Sequence, residues 1–157
     1  MNAPPARFIP MDAAFAARCR ASFDRQAAMR LIGGRLVRIE PGLTEVALAF
    51  RDDLTQQKGF VHGGIIGMIA DSACGYAAYS LMPATSSLVT VEYKINILAP
   101  ARGDLLARGE VIRPGRTLSV TRAEVHDQHG VHVASMQQTL MMLADTPDTP
   151  HTAVTSG

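Results

Sequence analysis

The stretch Gly63-Gly-Ile-Ile-Gly-Met-Ile-Ala-Asp71-Ser-Ala-Cys-Gly-Tyr-Ala-Ala-Tyr-Ser-Leu81 runs for 19 residues with a single charge, Asp71, and Pro83 stands just beyond it. As one helix it would be about 28 Å long at 1.5 Å per residue, and proline gives it a natural end. It is apolar nearly all round, and a helix of that kind in a globular protein is buried. It is predicted to be the central element that the rest of the chain wraps. Asp71 and the many small residues argue against reading it as a membrane span.

Working outward, Arg35 to Glu40 and Leu43 to Phe50 read as two short strands joined at Pro41-Gly42, a hairpin. Before them, Asp12 to about Leu31 is rich in Ala and Arg and favours a helix stopped by Gly33-Gly34. After the central helix come four stretches of strand character: Ser86 to Leu98, Asp104 to Arg113, Thr117 to Asp127, and Val131 to Leu143. The turns between them carry Gly or Pro: Pro100-Ala-Arg-Gly103, Pro114-Gly115 and Asp127-Gln-His-Gly130. Taken in order they predict a four-stranded antiparallel meander. In the first strand, alternation places Val89, Val91, Tyr93, Ile95 and Ile97 on a core face, with Thr90, Glu92, Lys94 and Asn96 opposite. The pattern is α+β, a curved sheet around one helix, and such a sheet leaves a strand edge that a second subunit would cover.

With 157 residues and 47% hydrophobic content, one domain with a real core is expected. Its bounds are read as residues 11–144, between a leader at 1–10 and a tail at 145–157, both rich in proline or small polar residues. Lys plus Arg number 15 and Asp plus Glu 14, so no overall field would gather nucleic acid. All the cations but Lys58 and Lys94 are arginines, suited to gripping phosphate. Cys19 and Cys74 have neither disulfide nor metal-site spacing, and a reducing cytoplasm is the expected compartment. No secretory signal is read at the N-terminus. His126, His129 and His132 straddle a predicted turn, where alternation would spread their side chains over different faces, so no metal site is expected there.

Gly59-Phe-Val-His-Gly-Gly64, with Asp71 nine residues after His62, resembles the hotdog-fold acyl-CoA thioesterases of the phenylacetate-pathway (PaaI-like) family. Thr90-Val-Glu-Tyr-Lys-Ile-Asn-Ile-Leu-Ala-Pro100 and Val111-Ile-Arg-Pro-Gly-Arg-Thr-Leu118 are similar to two further segments of that family, in the same order. The resemblance covers about residues 30 to 143. It implies a curved antiparallel sheet wrapped round one long helix, hydrolysis of acyl-CoA thioesters without metal or organic cofactor, and a homodimer with shared sites, with further pairing into a tetramer left open. It also implies roles: the Gly63 backbone N–H polarises the thioester carbonyl, Asp71 is the catalytic carboxylate, and Gln56 and Thr90 fall where relatives position the carbonyl or the attacking water.

The chemistry fits residues of these types. Thioester hydrolysis needs a donor for the developing oxyanion, which a helix N-terminus supplies, and Gly63 and Gly64 let a substrate approach the backbone. It also needs a base or a nucleophile, and a carboxylate serves as either. His62 is read first as a residue that caps the helix or orients its loop, with general base as the other role. Arg113 and Arg116 are the leading candidates for CoA phosphates, with Arg102 and Arg122 behind them. Eight residues separate Gly63 from Asp71, about 12 Å along one helix, so one thioester carbon cannot touch both. The expected site is therefore shared between two subunits. The competing readings are a non-catalytic acyl-CoA-binding hotdog module and a hotdog hydratase or dehydratase. In the latter Asp71 would have no role.

Overall fold

The computed structural model describes residues 7–149. Residues 1–6 of the leader expected at 1–10, and residues 150–157 of the tail expected at 145–157, lie outside the described residues. Helices α1 (Phe15–Arg25) and α2 (Ala27–Ile32) lead into strands β1 (Gly34–Glu40) and β2 (Leu43–Leu48). A short 3-10 turn at Asp52–Leu54 precedes the central helix α3 (Gly63–Tyr79). Four strands follow: β3 (Ser87–Ile97), β4 (Leu105–Arg113), β5 (Leu118–Asp127) and β6 (His132–Leu143).

One helix expected over residues 12–31 is two. Gln26 takes an extended backbone (φ −68°, ψ 104°) between them, and its Nε2 donates to the Tyr76 hydroxyl on α3 at 2.9 Å, so a tertiary contact overrides helix propensity. Gly33 ends α2 in the left-handed region (φ 80°), the stop expected of it. The chain flanking the domain is also tied down where it is described. Phe8 packs on the core, and Asp148 accepts from Ser22 Oγ and pairs with Arg25 at 2.8 Å.

All six strands form one antiparallel sheet in the order β1-β2-β4-β5-β6-β3. The predicted meander is therefore only three strands long. β3 does not pair with β4; it crosses to the far edge and pairs with β6. This order leaves α3 lying across the sheet face, with β2, β4 and β5 beneath it and β3 along its side.

The helix sits close to the sheet. A side chain at Gly109, on β4, would place its first carbon 2.3 Å from the carbonyl carbon and oxygen of Ala73 in α3. Beside it on β2, Thr44 Oγ1 donates to that same carbonyl at 2.7 Å. Leu48, Val46, Ile66, Ile69, Val111, Val125 and Leu140 fill the space between the layers and are essentially inaccessible.

β3 departs from simple alternation. Thr90 pairs with Leu140, but Glu92 pairs with Thr139, so Val91 is an extra residue bulged out of register. The bulge switches the parity of the strand. Leu88 and Thr90 before it, and Tyr93, Ile95 and Ile97 after it, all lie opposite the helix-facing row of β6. The expectation that Thr90 shares a polar face with Glu92 is thereby corrected. So is the expectation that Val89 and Val91 belong to the core, since they are 41% and 52% exposed. Tyr93 and Ile97 face the helix yet remain about half exposed, because β3 is an edge and α3 only partly covers it.

Candidate active site

Gly63, Gly67, Asp71 and Gly75 recur every four residues and form the side of α3 that borders β3. The three glycines keep that border thin: added side-chain carbons would lie 3.9 Å from Ile97, 3.8 Å from the Tyr93 hydroxyl and 4.0 Å from Leu88. Asp71 is the polar member of the row, and the bulge at Val91 aims Thr90 at it. Thr90 Oγ1 donates to Asp71 Oδ1 at 2.9 Å. Gln138 of β6 joins them: its Nε2 donates to the same Oδ1 and lies 2.9 Å from Thr90 Oγ1. Asp71 Oδ2 has no hydrogen-bond donor among the described residues.

Asp71 and Thr90 open onto a cavity of about 720 Å³. It runs past Gly75, Tyr76 and Tyr79 toward Ser22, Gln26 and Arg30 of the N-terminal helices. At its far end the Tyr76 hydroxyl is held by Ser22 at 3.0 Å and by Gln26 at 2.9 Å. Burial pushes the Tyr76 phenol up to about 12, so it stays a neutral hydroxyl at any ordinary pH.

The start of α3 borders a separate, smaller cavity of about 310 Å³, lined by Gln56, Gly63, Ile66, Ile97 and Pro100 among others. His62 is the N-cap, extended in its backbone, and its Nδ1 accepts from the Gly64 N–H at 2.9 Å. That bond occupies Gly64. The Gly63 N–H has no acceptor among the described residues and stands at the positive end of the helix. Gln56 lies across the same cavity, with its side-chain oxygen turned to the Lys58 N–H. Arg102 stacks over Phe60 at 4.4 Å beside this mouth and donates to the Lys58 carbonyl.

The structure thus divides the residues singled out in the sequence into two groups. Asp71 and Thr90 share one cavity, while Gly63 and Gln56 share another, with His62 capping the helix between loop and cavity. Arg113, the last residue of β4, and Arg116, in the β4–β5 turn, are exposed and line neither cavity, and Arg122 is paired with Glu110 at 3.1 Å. Gln138 was missed. Its signal was present in the sequence as the lone polar residue in the alternating row Ala134, Met136, Gln138, Leu140, Met142.

The histidines also differ from expectation. His126 and His132 are cross-strand partners whose rings stack at 4.7 Å, so they share a face. With Glu124 their ligand atoms lie within 4.8 Å of one another, but His132 Nε2 is already bonded to Ser135 Oγ at 2.9 Å. Cys19 and Cys74 are fully buried free thiols, each pushed up to about 12 by burial.

A six-stranded antiparallel sheet wrapped on one long helix is the hotdog architecture. Residues 58–134 match the family model described as Thioesterase superfamily. A solved thioesterase family protein from Silicibacter pomeroyi is 42% identical, over 83% of this chain and 98% of that one, with a TM-score of 0.80. A protein of Saccharolobus solfataricus that carries an esterase name is 34% identical over 61% of this chain and 69% of its own. The Escherichia coli PaaI protein from the phenylacetic acid degradation operon shares the fold, with a TM-score of 0.80 at 20% identity over 87% of this chain and 99% of that one. The medium/long-chain acyl-CoA thioesterase YigI of Escherichia coli is 24% identical over 72% of this chain and 83% of its own. The chain belongs to the thioesterase superfamily, and it is a hydrolase of thioesters. Among the described residues, no helix is long and apolar enough to cross a membrane.

Proposed function

We propose that the protein hydrolyses acyl-CoA thioesters to free acid and CoA, with Asp71 as the reacting carboxylate and the Gly63 N–H as the carbonyl donor. The observation that carries this reading is that Asp71, with its Oδ2 free of any donor among the described residues, lines a cavity of about 720 Å³. As general base, Asp71 takes a proton from water as the water oxygen bonds to the carbonyl carbon, and returns it to the CoA sulfur when the carbon–sulfur bond breaks. As nucleophile, it displaces CoA to form an anhydride that water then splits. The two routes share the same oxyanion donor.

Gly63 and Asp71 border different cavities and stand about 12 Å apart along α3. In this reading each site pairs the Asp71 cavity of one subunit with the Gly63 start of another subunit's helix. The exposed apolar edge of Val89, Val91, Tyr93 and Ile97 on β3 supplies a surface for that pairing. Gln56 then lies by the carbonyl and Thr90 by the water. Arg102, beside the Gly63 cavity, and the exposed Arg113 and Arg116 are the cations for CoA phosphates.

The test is thiol release from short-chain, long-chain and aryl acyl-CoAs by the purified protein and two variants. Asp71→Asn keeps size and should lose about 10²- to 10⁴-fold in kcat. Gly63→Pro removes one N–H at the first helical position, where proline is well accommodated, and His62 already has the extended backbone that precedes proline. It should fold and lose activity. Mixed subunits of the two variants should recover activity, because one of the two sites in a heterodimer is then intact. Hydrolysis that survives Asp71→Asn sinks the site assignment. Tight acyl-CoA binding without hydrolysis would make the protein a binding module, and failure to recover activity despite subunit exchange would sink the shared site.

A further inference from the structure

Gln138 is fully buried in the middle of β6, on the row that faces α3, where its neighbours on the same side are Met136 and Leu140. Its amide nitrogen has two hydrogens. One is directed at Asp71 Oδ1 and the other at Thr90 Oγ1, while Thr90's own hydrogen also goes to Asp71 Oδ1. The three side chains close a triangle in which every donor is used. The opposite amide orientation would set Gln138 Oε1 against the Asp71 oxygen, acceptor to acceptor, so the observed one is chemically required.

The arrangement carries a standing cost. With the nitrogen committed, Gln138 Oε1 is buried without a hydrogen-bond partner among the described residues. An unpaired buried carbonyl costs about 1–3 kcal/mol, and methionine fills nearly the same volume without it. Stability of the sheet therefore gives no reason for an amide here. Its donors do.

We propose that Gln138 is a positioning residue for the hydrolytic reaction: together with Thr90 it pins Asp71 Oδ1 and leaves Oδ2 as the reacting atom. The inference rests on Asp71 being the catalytic carboxylate and adds which of its oxygens works and what holds it. A carboxylate on a single-bonded side chain is free to swing. Two donors converging on one oxygen from two strands fix its rotation and draw electron density there, leaving the unbonded oxygen to meet water or the thioester carbon.

The experiment compares Gln138→Met and Gln138→Asn with the parent, measuring melting temperature, kcat and KM for the best acyl-CoA substrate. Methionine keeps the length, removes both donors and removes the unpaired acceptor. The expected result is a melting temperature equal to or above the parent's, KM within about threefold, and kcat lower by about 10- to 100-fold, the scale of a slightly misplaced reacting group. Asparagine keeps the amide but draws it back by one methylene, and the same kcat loss is expected. In an Asp71→Asn background, Gln138→Met should cause no further loss, because its effect passes through the carboxylate.

A folded Gln138→Met protein with the parent's kcat, while Asp71→Asn is inactive, overturns this inference and leaves the role of Asp71 standing. Activity that survives Asp71→Asn overturns both. If neither Gln138 variant folds, Gln138 holds the sheet rather than the carboxylate, and the inference also fails.

Discussion

Replacing Gly109 by alanine should damage stability and turnover together. The added carbon would sit 2.3 Å from the Ala73 carbonyl carbon and oxygen and 2.6 Å from the Cys74 nitrogen, whereas ordinary contact begins at 3.4 Å. The layers must separate by about 1.1 Å, and backbone on both sides leaves no flexible side chain to yield. Overpacking a core costs about 1–3 kcal/mol, and this site belongs at the upper end. At roughly 2–4 °C per kcal/mol for a chain of this size, the melting temperature should fall by about 6–12 °C. Asp71 lies two residues before Ala73, so a shift of that size in α3 moves the carboxylate relative to Thr90 and distorts their 2.9 Å bond. A misplacement of about 1 Å costs up to 100-fold in kcat. Thermal unfolding by circular dichroism and thiol release on the same preparation measure both effects. A Gly109→Ala protein that melts within 2 °C of the parent (roughly 1 kcal/mol) with full activity would refute the close seating of helix on sheet.

Gly75→Ala is the opposite case: its added carbon meets Leu88 at 4.0 Å, so the helix gains about 1 kcal/mol and melts a few degrees higher, and a drop in melting temperature would contradict the open border with β3. His62→Ala should lose the cap, about 0.5–1 kcal/mol, with His62→Asn restoring it. Activity loss in His62→Ala should stay below about tenfold, and a hundredfold loss at unchanged stability would make His62 a base instead. Cys19 and Cys74 should resist thiol reagents in the native protein and react once it is unfolded. Both thiols are raised from 9.0 to about 12 and Tyr76 from 10.0 to about 12, so above about pH 9 the unfolded chain releases protons that the native protein keeps. Stability should then fall with rising pH. A flat melting temperature from pH 8 to 11 would contradict their burial.

The elements legible in the sequence are those written in local pattern. The apolar run from Gly63, the Pro41-Gly42 hairpin and the Gly33 stop each depend on residues adjacent in the chain. Strand order was not of that kind. The sequence gives no sign that β3 leaves the meander, since what places it beside β6 is the passage of α3 across the sheet, a long-range event. The break at Gln26 is similar: its cause is the Tyr76 hydroxyl, 50 residues away. Asp71 and Gly63 stood out because each is conspicuous where it lies, an acid in an apolar helix and a glycine at a helix start.

Thr90 and Gln138 mark where such reading stops. Alternation assigned Thr90 to the same face as Glu92, and one bulged residue at Val91 reverses that assignment and brings Thr90 to Asp71. The bulge has no sequence signature of its own, because Val91 is an ordinary strand residue. Gln138 was detectable, since a polar side chain in a buried alternating row is costly unless satisfied. What alternation could not supply was its partner, 67 residues earlier on α3. The two misses have one physical origin. Periodicity reports which way a side chain points relative to its neighbours in the chain, whereas the carboxylate is held by three elements that meet only after the sheet has closed on the helix. A bulge on an edge strand and an amide on its neighbour are what bring two hydrogen-bond donors to the Asp71 carboxylate. Deleting Val91 should accordingly restore alternation, turn Thr90 away from Asp71, and lower kcat while leaving the sheet intact. A folded deletion variant with full activity would show that the bulge does not set the site.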